Sequence, residues 1–491
     1  MKNLLGTPNF DGLPCLQKLT LYDCEELQEI HPSLGKHTNL EYVSVSDCCK
    51  LRMFPTIIHM GKLKTLEIGY CHKILEFPEI KSNMESLVKL YLANIGINVL
   101  LSLIGDRCPN LISLNLVDCT YLRIKEVNFY GLKHLEHFKI HGSNLQKILD
   151  HFSISQFISK VACGRDWHII QHSSFWFWLV FPQLTHSLRK LDLSGCLLKD
   201  GEIPSNIGEL SNLQELNLSC NDFTQLDFSV SQLTQLKILI FTNCKRLVKL
   251  PKLPSSIVIL IADFCKSLTT VGDFYTNCKW LSQVSLVRGG VVTDGSKLLK
   301  SMWTMLEGNA IKNHYMLLKL EGHEIAKEFR PPLASGSIFK LKLPENWSND
   351  FSGFLMCAVG TYEISYYSQR ICMEHVSSCM EYKDDMVWEE SDNDKRTLVW
   401  YVSFASLRHT SWWNSTYKAV LFSLGLEADI QSFSGFGVAL VARKSGSGPT
   451  ETSTTQQEYE CSHYTPNFNI VQDLQYALKI EFPSKYEAGN V

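Results

Sequence analysis

The apolar positions of the chain obey two different rules. From Leu16 to about Val271 they recur in a fixed frame, and from about Tyr315 they fall into short runs separated by breaks. The frame is first legible as Leu16-x-x-Leu19-x-Leu21-x-x-Cys24-x-x-Leu27. It returns as Leu40-x-x-Val43-x-Val45-x-x-Cys48-x-x-Leu51 and as Leu63-x-x-Leu66-x-Ile68-x-x-Cys71-x-x-Ile74. Further copies start at Leu87, Leu111, Leu135, Leu188, Leu213, Leu236 and Ile257, with spacings of 24, 23, 24, 24, 24, 53, 25, 23 and 21 residues. Apolar residues two apart share one face of a strand, so each copy predicts a short strand with its intervening residues on the other face. A single copy cannot bury its own apolar side chains. Stacked copies bury them against one another, each side chain contributing roughly 1.5–3 kcal/mol.

A period of 20–29 residues with Asn or Cys in the turn slot is the leucine-rich-repeat pattern. It predicts an α/β leucine-rich-repeat solenoid whose ten parallel strands, about 4.8 Å apart, form a sheet roughly 50 Å long. The 53-residue gap between Leu135 and Leu188 is irregular. Ile158-x-x-Val161-x-Cys163 fits a degenerate copy there, and the aromatic run Phe175–Phe181 has two open readings, packing under the solenoid or an exposed docking patch.

After about Val271 the frame is expected to stop, with a connector carrying a helix near Ser296–Glu307. Met316–Leu320, Ser337–Leu343, Phe354–Val359, Thr397–Ser403 and Gly437–Val441 read as strands, and many short strands between turn signals suggest an all-β sandwich. The expected organisation is a solenoid over 1–275, a connector over 276–312, a β-domain over 313–444, and a flexible linker and tail over 445–491. The acidic stretch Glu381–Asp394 reads as a solvated loop.

Composition narrows the classes. The chain has 491 residues, 47 Lys and Arg against 50 Asp and Glu, and a net charge of −3, so no global basic field attracts nucleic acid. Its longest apolar run, Phe175–Phe181, is far below the ~20 residues of a membrane span, and no secretory h-region is visible. Seven of the 17 cysteines, Cys24, Cys48, Cys71, Cys119, Cys196, Cys244 and Cys265, occupy the turn slot of the repeat. There a small buried side chain suffices, and free thiols are expected, in keeping with a cytoplasmic or nuclear-cytoplasmic location. Cys163/His168/His172 and His134/His137/His141 lack an established zinc spacing, so no metal or cofactor is expected.

The outward strand positions predict a concave binding face. Its candidate protein-binding residues are Tyr22, Asp23, Tyr42, Glu67, Tyr70, Lys89, Tyr91, His137, Lys139, His141, Arg189 and Lys190, with Asp192, Glu215 and Asp263 also directed outward. Tyrosine and arginine are favoured at protein interfaces. No catalytic arrangement is legible: Gly-Phe-Ser-Gly-Phe around Ser434 is not a nucleophile elbow, and the carboxylates form a charge block.

The repeats Leu16–Pro55 and Leu63–Pro78, with Cys in the turn slot and a following Pro, resemble those of plant TIR–NB–LRR disease-resistance receptors. Asn3–Phe10 and Glu29–Gly35 look like their repeat junctions, and Phe274–Cys278 is similar to a short element after their repeats. Gly336–Trp347 with Phe351-x-Gly-Phe-x-x-Cys-Ala-Val359, and Gly437–Val441, resemble their C-terminal jelly-roll or immunoglobulin-like domain. The resemblance covers about residues 1–445. It implies recognition of a pathogen effector or another receptor domain through the repeats and the β-domain, in plant defence. The family's TIR and nucleotide-binding domains are missing, with no G-x-x-x-x-G-K-[ST] loop, so no enzymatic activity is expected. The chain starts mid-repeat, which predicts an uncapped first edge. Alternatives are a stand-alone truncated adaptor or decoy, or an extracellular receptor ectodomain, for which sequons exist at Asn217, Asn346 and Asn414.

Overall fold

The computed structural model describes residues 3–97, 104–119, 131–141, 187–203, 205–226, 228–272, 274–289, 295–307, 315–321, 327, 329–334, 338–360, 396–408, 415, 418–424, 433–443, 459–460, 469–470 and 478–482. The chain divides into two compact units, Met1–Leu247 and Val248–Val491.

In the first unit nine strands pair in parallel and in chain order: β1 (Lys18–Tyr22), β2 (Tyr42–Ser46), β3 (Thr65–Gly69), β4 (Lys89–Ala93), β5 (Ser113–Val117), β6 (His137–His141), β7 (Lys190–Asp192), β8 (Glu215–Asn217) and β9 (Ile238–Ile240). Each strand begins two residues after the first apolar residue of its repeat. The register repeats without slippage, as Leu19↔Val43↔Leu66↔Leu90↔Leu114↔Phe138, because a one-residue slip would turn every apolar side chain away from the core. The stacked interior is dry: Val43, Val45, Leu63, Ile68, Leu111 and Leu116 are completely buried. Leu16 and Leu19 are only half-buried, since β1 has a described neighbour on one side alone. β6 and β7 are direct neighbours across the 53-residue gap, His137 facing Lys190. Ile158–Cys163 and Phe175–Phe181 lie outside the described residues.

Among the described residues the returning segments contain little α-helix. They carry 3-10 turns at Pro32–Lys36, Ser205–Glu209 and Val230–Gln232, and a four-residue helix, α1 (Ile104–Arg107). Gly35 shows how closely these segments pack: its carbonyl accepts from the Ile58 and His59 N–H groups at 2.7 and 2.9 Å, and a Cβ there would lie 1.8 Å from the Thr56 carbonyl oxygen.

A second periodic feature is conformational. Among the described residues, the corner after the strand, where the chain turns towards the returning segment, has a left-handed backbone at Asp23, Asp47, Tyr70, Asn94, Asp118, Gly195, Cys220 and Asn243 in the first unit, and at Phe264 and Arg288 in the second. Asp, Asn and Gly tolerate this region best, which explains their prevalence here.

The frame does not stop at Val271. In the second unit β10 (Ile259–Ile261) pairs in parallel with β11 (Gln283–Leu286), an uncounted copy reading Leu281-x-x-Val284-x-Leu286 with Arg288 at its left-handed corner. The connector expected over 276–312 thus contains a repeat strand as well as the helix, α2 (Gly295–Glu307). Its aromatic prelude is core: the rings of Phe274 and Tyr275 lie tilted against each other with centres 5.0 Å apart, and both residues are buried. β12 (Tyr315–Glu321) is shared by two kinds of pairing. One edge joins β11 in parallel and the other joins β15 (Arg396–Ser403) antiparallel, followed by β14 (Phe351–Gly360) and β17 (Phe433–Ala442).

A second, five-stranded sheet runs in the order β18 (Tyr459–Glu460), β13 (Ile338–Lys342), β16 (Ala419–Leu424), β20 (Leu478–Phe482), β19 (Asn469–Ile470). Residues of both sheets meet in one core. Leu341, Val420 and Phe422 pack with Phe354, Met356, Trp400 and Val438, and Phe354 makes edge-to-face contacts with Phe404 at 4.8 Å and Phe422 at 5.0 Å. The segment read as linker and tail from 445 onward therefore supplies three strands, β18 to β20, to this sheet. Two-residue strands such as β18 and β19 lack the alternation that would reveal them. The acidic stretch Glu381–Asp394 lies outside the described residues.

Candidate protein-binding face

The parallel pairing of β1–β9 turns sequence positions into columns on the open side of the sheet. One column reads Lys18, Tyr42, Thr65, Lys89, Ser113, His137, Lys190, Glu215, and the central one reads Thr20, Ser44, Glu67, Tyr91, Asn115, Lys139, Asp192, Asn217. Tyr22 and His141 belong to a third column, Asp23 and Tyr70 occupy left-handed corners beyond it, and Arg189 precedes β7. Twelve positions scattered over 169 residues of sequence are thereby gathered along one sheet. Tyr22 and Tyr70 are the most open aromatics of these twelve, 67% and 42% exposed.

Their contacts form two groups. In the first, the Lys18 ammonium lies over the Tyr42 ring, 4.7 Å from its centre, and the Tyr42 hydroxyl donates to Glu67 Oε2 at 2.6 Å. That hydrogen bond, with burial, raises the Tyr42 phenol above its ordinary value. In the second, Lys139 pairs with Asp192 and Lys190 with Glu215, each at 3.0 Å, while Arg189 pairs with Glu136 at 3.5 Å. Burial first, then the Lys190 ammonium, lowers the pKa of His137.

Three residues expected to point into solvent do not remain there. Asp192 and Glu215 are 5% and 7% exposed because lysines of the preceding strand fold over them. Asp263, in the second unit, is buried, accepting from the Ser285 hydroxyl at 2.7 Å and the Val287 N–H at 2.9 Å. A local device escaped the sequence reading although its signal is present, an acidic or amide residue two before a serine. Asp192 Oδ1 accepts from the Ser194 N–H and hydroxyl, Asn217 Oδ1 accepts from those of Ser219, and His141 joins Ser194 at 2.6 Å.

The seven turn-slot cysteines are buried thiols. Their thiols donate to main-chain carbonyls: Cys196 to Ser194 and Ile140, Cys119 to Val117 and Leu92, Cys244 to Leu218. Asn221 fills the same slot in its repeat and serves Leu193, Leu218 and Ser219 with its amide. Burial pushes the Cys119 thiol up to about 11, so it stays protonated and unreactive.

Among the described residues no group of three or more His, Cys, Asp or Glu is placed to hold a metal ion, and Cys163, His168 and His172 lie outside them. No helix among the described residues is long and apolar enough to cross a membrane. The sequon asparagine Asn217 is buried in β8 with its side chain engaged by Ser219, so the folded chain cannot present it to a glycosylating enzyme. Asn346 is exposed, and Asn414 lies outside the described residues.

Residues 320–466 match the C-JID domain. The chain is 25% identical to TMV resistance protein N of Nicotiana glutinosa over 518 aligned residues, covering 96% of this chain and 45% of that protein. It is 26% identical to disease resistance protein RPS4B of Arabidopsis thaliana, covering 67% of this chain and 26% of that protein. Among solved structures, the leucine-rich repeat domain of the type III effector XCV3220 (XopL) aligns at 17% identity and a TM-score of 0.22, over 58% of this chain and 65% of that one. The chain spans less than half the length of either resistance protein. Repeat strands in register, followed by a match to the C-JID domain, make this chain similar to the C-terminal region of plant TIR–NB–LRR disease-resistance proteins.

Proposed function

We propose that the chain is a protein-recognition module of intracellular plant immunity, binding a pathogen effector or another receptor domain through the open face of its repeat sheet and through the C-JID domain. The observation that carries this reading is the face itself. The parallel strands β1–β6 bury one set of side chains and leave the other set, rich in tyrosine and charge, without a covering layer among the described residues. A broad, rigid, side-chain-decorated sheet suits an extended interface in which a few aromatic or charged anchors dominate the energy. In this reading the chain performs no chemistry of its own, and it acts in the cytoplasm or nucleus.

The test is capture of candidate effectors by the full chain and by variants carrying alanine at Tyr22, Tyr42, Tyr70 and Tyr91. Loss of capture with an unchanged circular dichroism spectrum supports the face. Capture unaffected by all four replacements removes it.

A further inference from the structure

The two halves of the open face differ in how their charges are met. Around β6–β8 the cations are compensated within the chain, Lys139 by Asp192 and Lys190 by Glu215. Around β2–β5 Glu41 pairs with Lys64 at the N-terminal ends of the strands, but two carboxylates farther along meet hydroxyls: Glu67 accepts from Tyr42 at 2.6 Å and Asp47 from Ser46 at 2.5 Å. A hydroxyl satisfies a lone pair but leaves the negative charge in place. Among the described residues neither of these carboxylates, nor Asp118 at the corner after β5, takes part in an ion pair. Tyr91, between them, responds to that field. Burial is the first cause of its raised pKa, and Tyr70, Glu67 and Asp118 add to it. Lys18 of the neighbouring β1 and Lys89 of β4 stand at the opposite, N-terminal ends of their strands. Lys18 already displays how this surface holds a cation, with its ammonium over an aromatic ring whose hydroxyl is tied to a carboxylate.

We propose that this half of the sheet, built from Tyr42, Asp47, Glu67, Tyr70, Tyr91 and Asp118, docks a lysine- or arginine-bearing extended segment of a partner protein. The inference rests on the reading of the open face as a protein-binding surface and adds the chemistry of what it takes. From β2 to β5 the sheet spans three strand separations, about 14 Å, the length of about four residues of extended chain. Side chains two apart on such a segment point to the same side, so two cations reach the face together. Each can rest against a tyrosine ring, where cation–π attraction operates, and reach a carboxylate beyond it. Charge complementarity selects the basic segment and repels an acidic one.

The experiment uses the full chain and two fluorescein-labelled octapeptides, one alternating Lys and Ser, the other Glu and Ser, followed by fluorescence anisotropy at about 50 and about 300 mM salt. The basic peptide should bind, more weakly at the higher salt. Its affinity should fall about tenfold in the double variant Glu67→Gln, Asp118→Asn, and it should not change in Glu26→Gln, which removes one negative charge already paired with Lys50. Glutamine at 67 keeps the acceptor for the Tyr42 hydroxyl, so the fold is preserved. Failure of the basic peptide to bind, equal binding of the acidic peptide, or an unchanged affinity in the double variant overturns the proposal. A protein captured by the full chain and insensitive to the double variant overturns it too, while leaving the protein-binding reading of the face standing.

Discussion

Tyr70 holds a left-handed backbone, φ 54°, where neighbouring repeats place Asp47 and Asn94. For a bulky aromatic residue that conformation is costly, and asparagine adopts it more readily. Tyr70→Asn should therefore raise the stability of the chain by roughly 0.5–1 kcal/mol, read from the shift of a denaturant unfolding midpoint. The same variant should weaken partner capture, because an exposed ring is lost from the face. A substitution that stabilises while it impairs binding would locate the reason for tyrosine in function. The thiols give a second test at this scale. Cys15 and Cys49 are exposed, whereas the turn-slot cysteines are buried, and burial keeps Cys108 and Cys119 protonated by raising them to about 12 and about 11. Iodoacetamide at neutral pH should label Cys15 and Cys49 in the native chain and reach Cys119 and Cys196 only after unfolding, as followed by peptide mass spectrometry. Rapid native labelling of Cys196 would contradict a closed thiol ladder.

At the scale of the element, the repeat is a strand, a left-handed corner, a thiol or amide tie, and a close-packed return. The tie is interchangeable: Cys196 reaches the Ile140 carbonyl of the preceding repeat, and Asn221 reaches that of Leu193. Both side chains are short donors that satisfy carbonyls no strand can pair. The return is less forgiving. Gly35→Ala would drive a methyl group into the Thr56 carbonyl, and since both partners are backbone, the turn at Pro32–Lys36 must shift. A loss of roughly 2–3 kcal/mol is expected, measurable by chemical denaturation. A loss below about 0.5 kcal/mol would mean that this return is not held as tightly as its hydrogen bonds imply.

For the whole molecule, stability in a repeat array is set by each repeat and its neighbours. Leu191→Ala, at a buried position in β7, should cost about 3 kcal/mol and lower amide-exchange protection first in β6 and β8, the strands that pair with β7. Protection in β14 and β17 of the second unit should change least; equal loss everywhere would mean that the two units unfold as one. The repeat frame was legible in sequence because each apolar slot serves the same local geometry, a period of two within the strand and about 24 residues between strands. The outward identity of Tyr22, Tyr42, Glu67 and Lys139 followed from that alternation alone. Three things did not follow from it. The first is the copy at Leu281, whose turn slot holds Gly289. The burial of Asp192 and Glu215 depends on which lysines stand in the strand before. The pairing of β12 with β11 on one edge and with β15 on the other depends on which residues, distant in sequence, complete each edge. The sequence by itself determined the repeat, its core and the direction of each strand residue, because these are properties of single short segments. The tertiary structure alone decided which charges cancel and which remain open on the face, because the lysines that meet Asp192 and Glu215 stand on another strand.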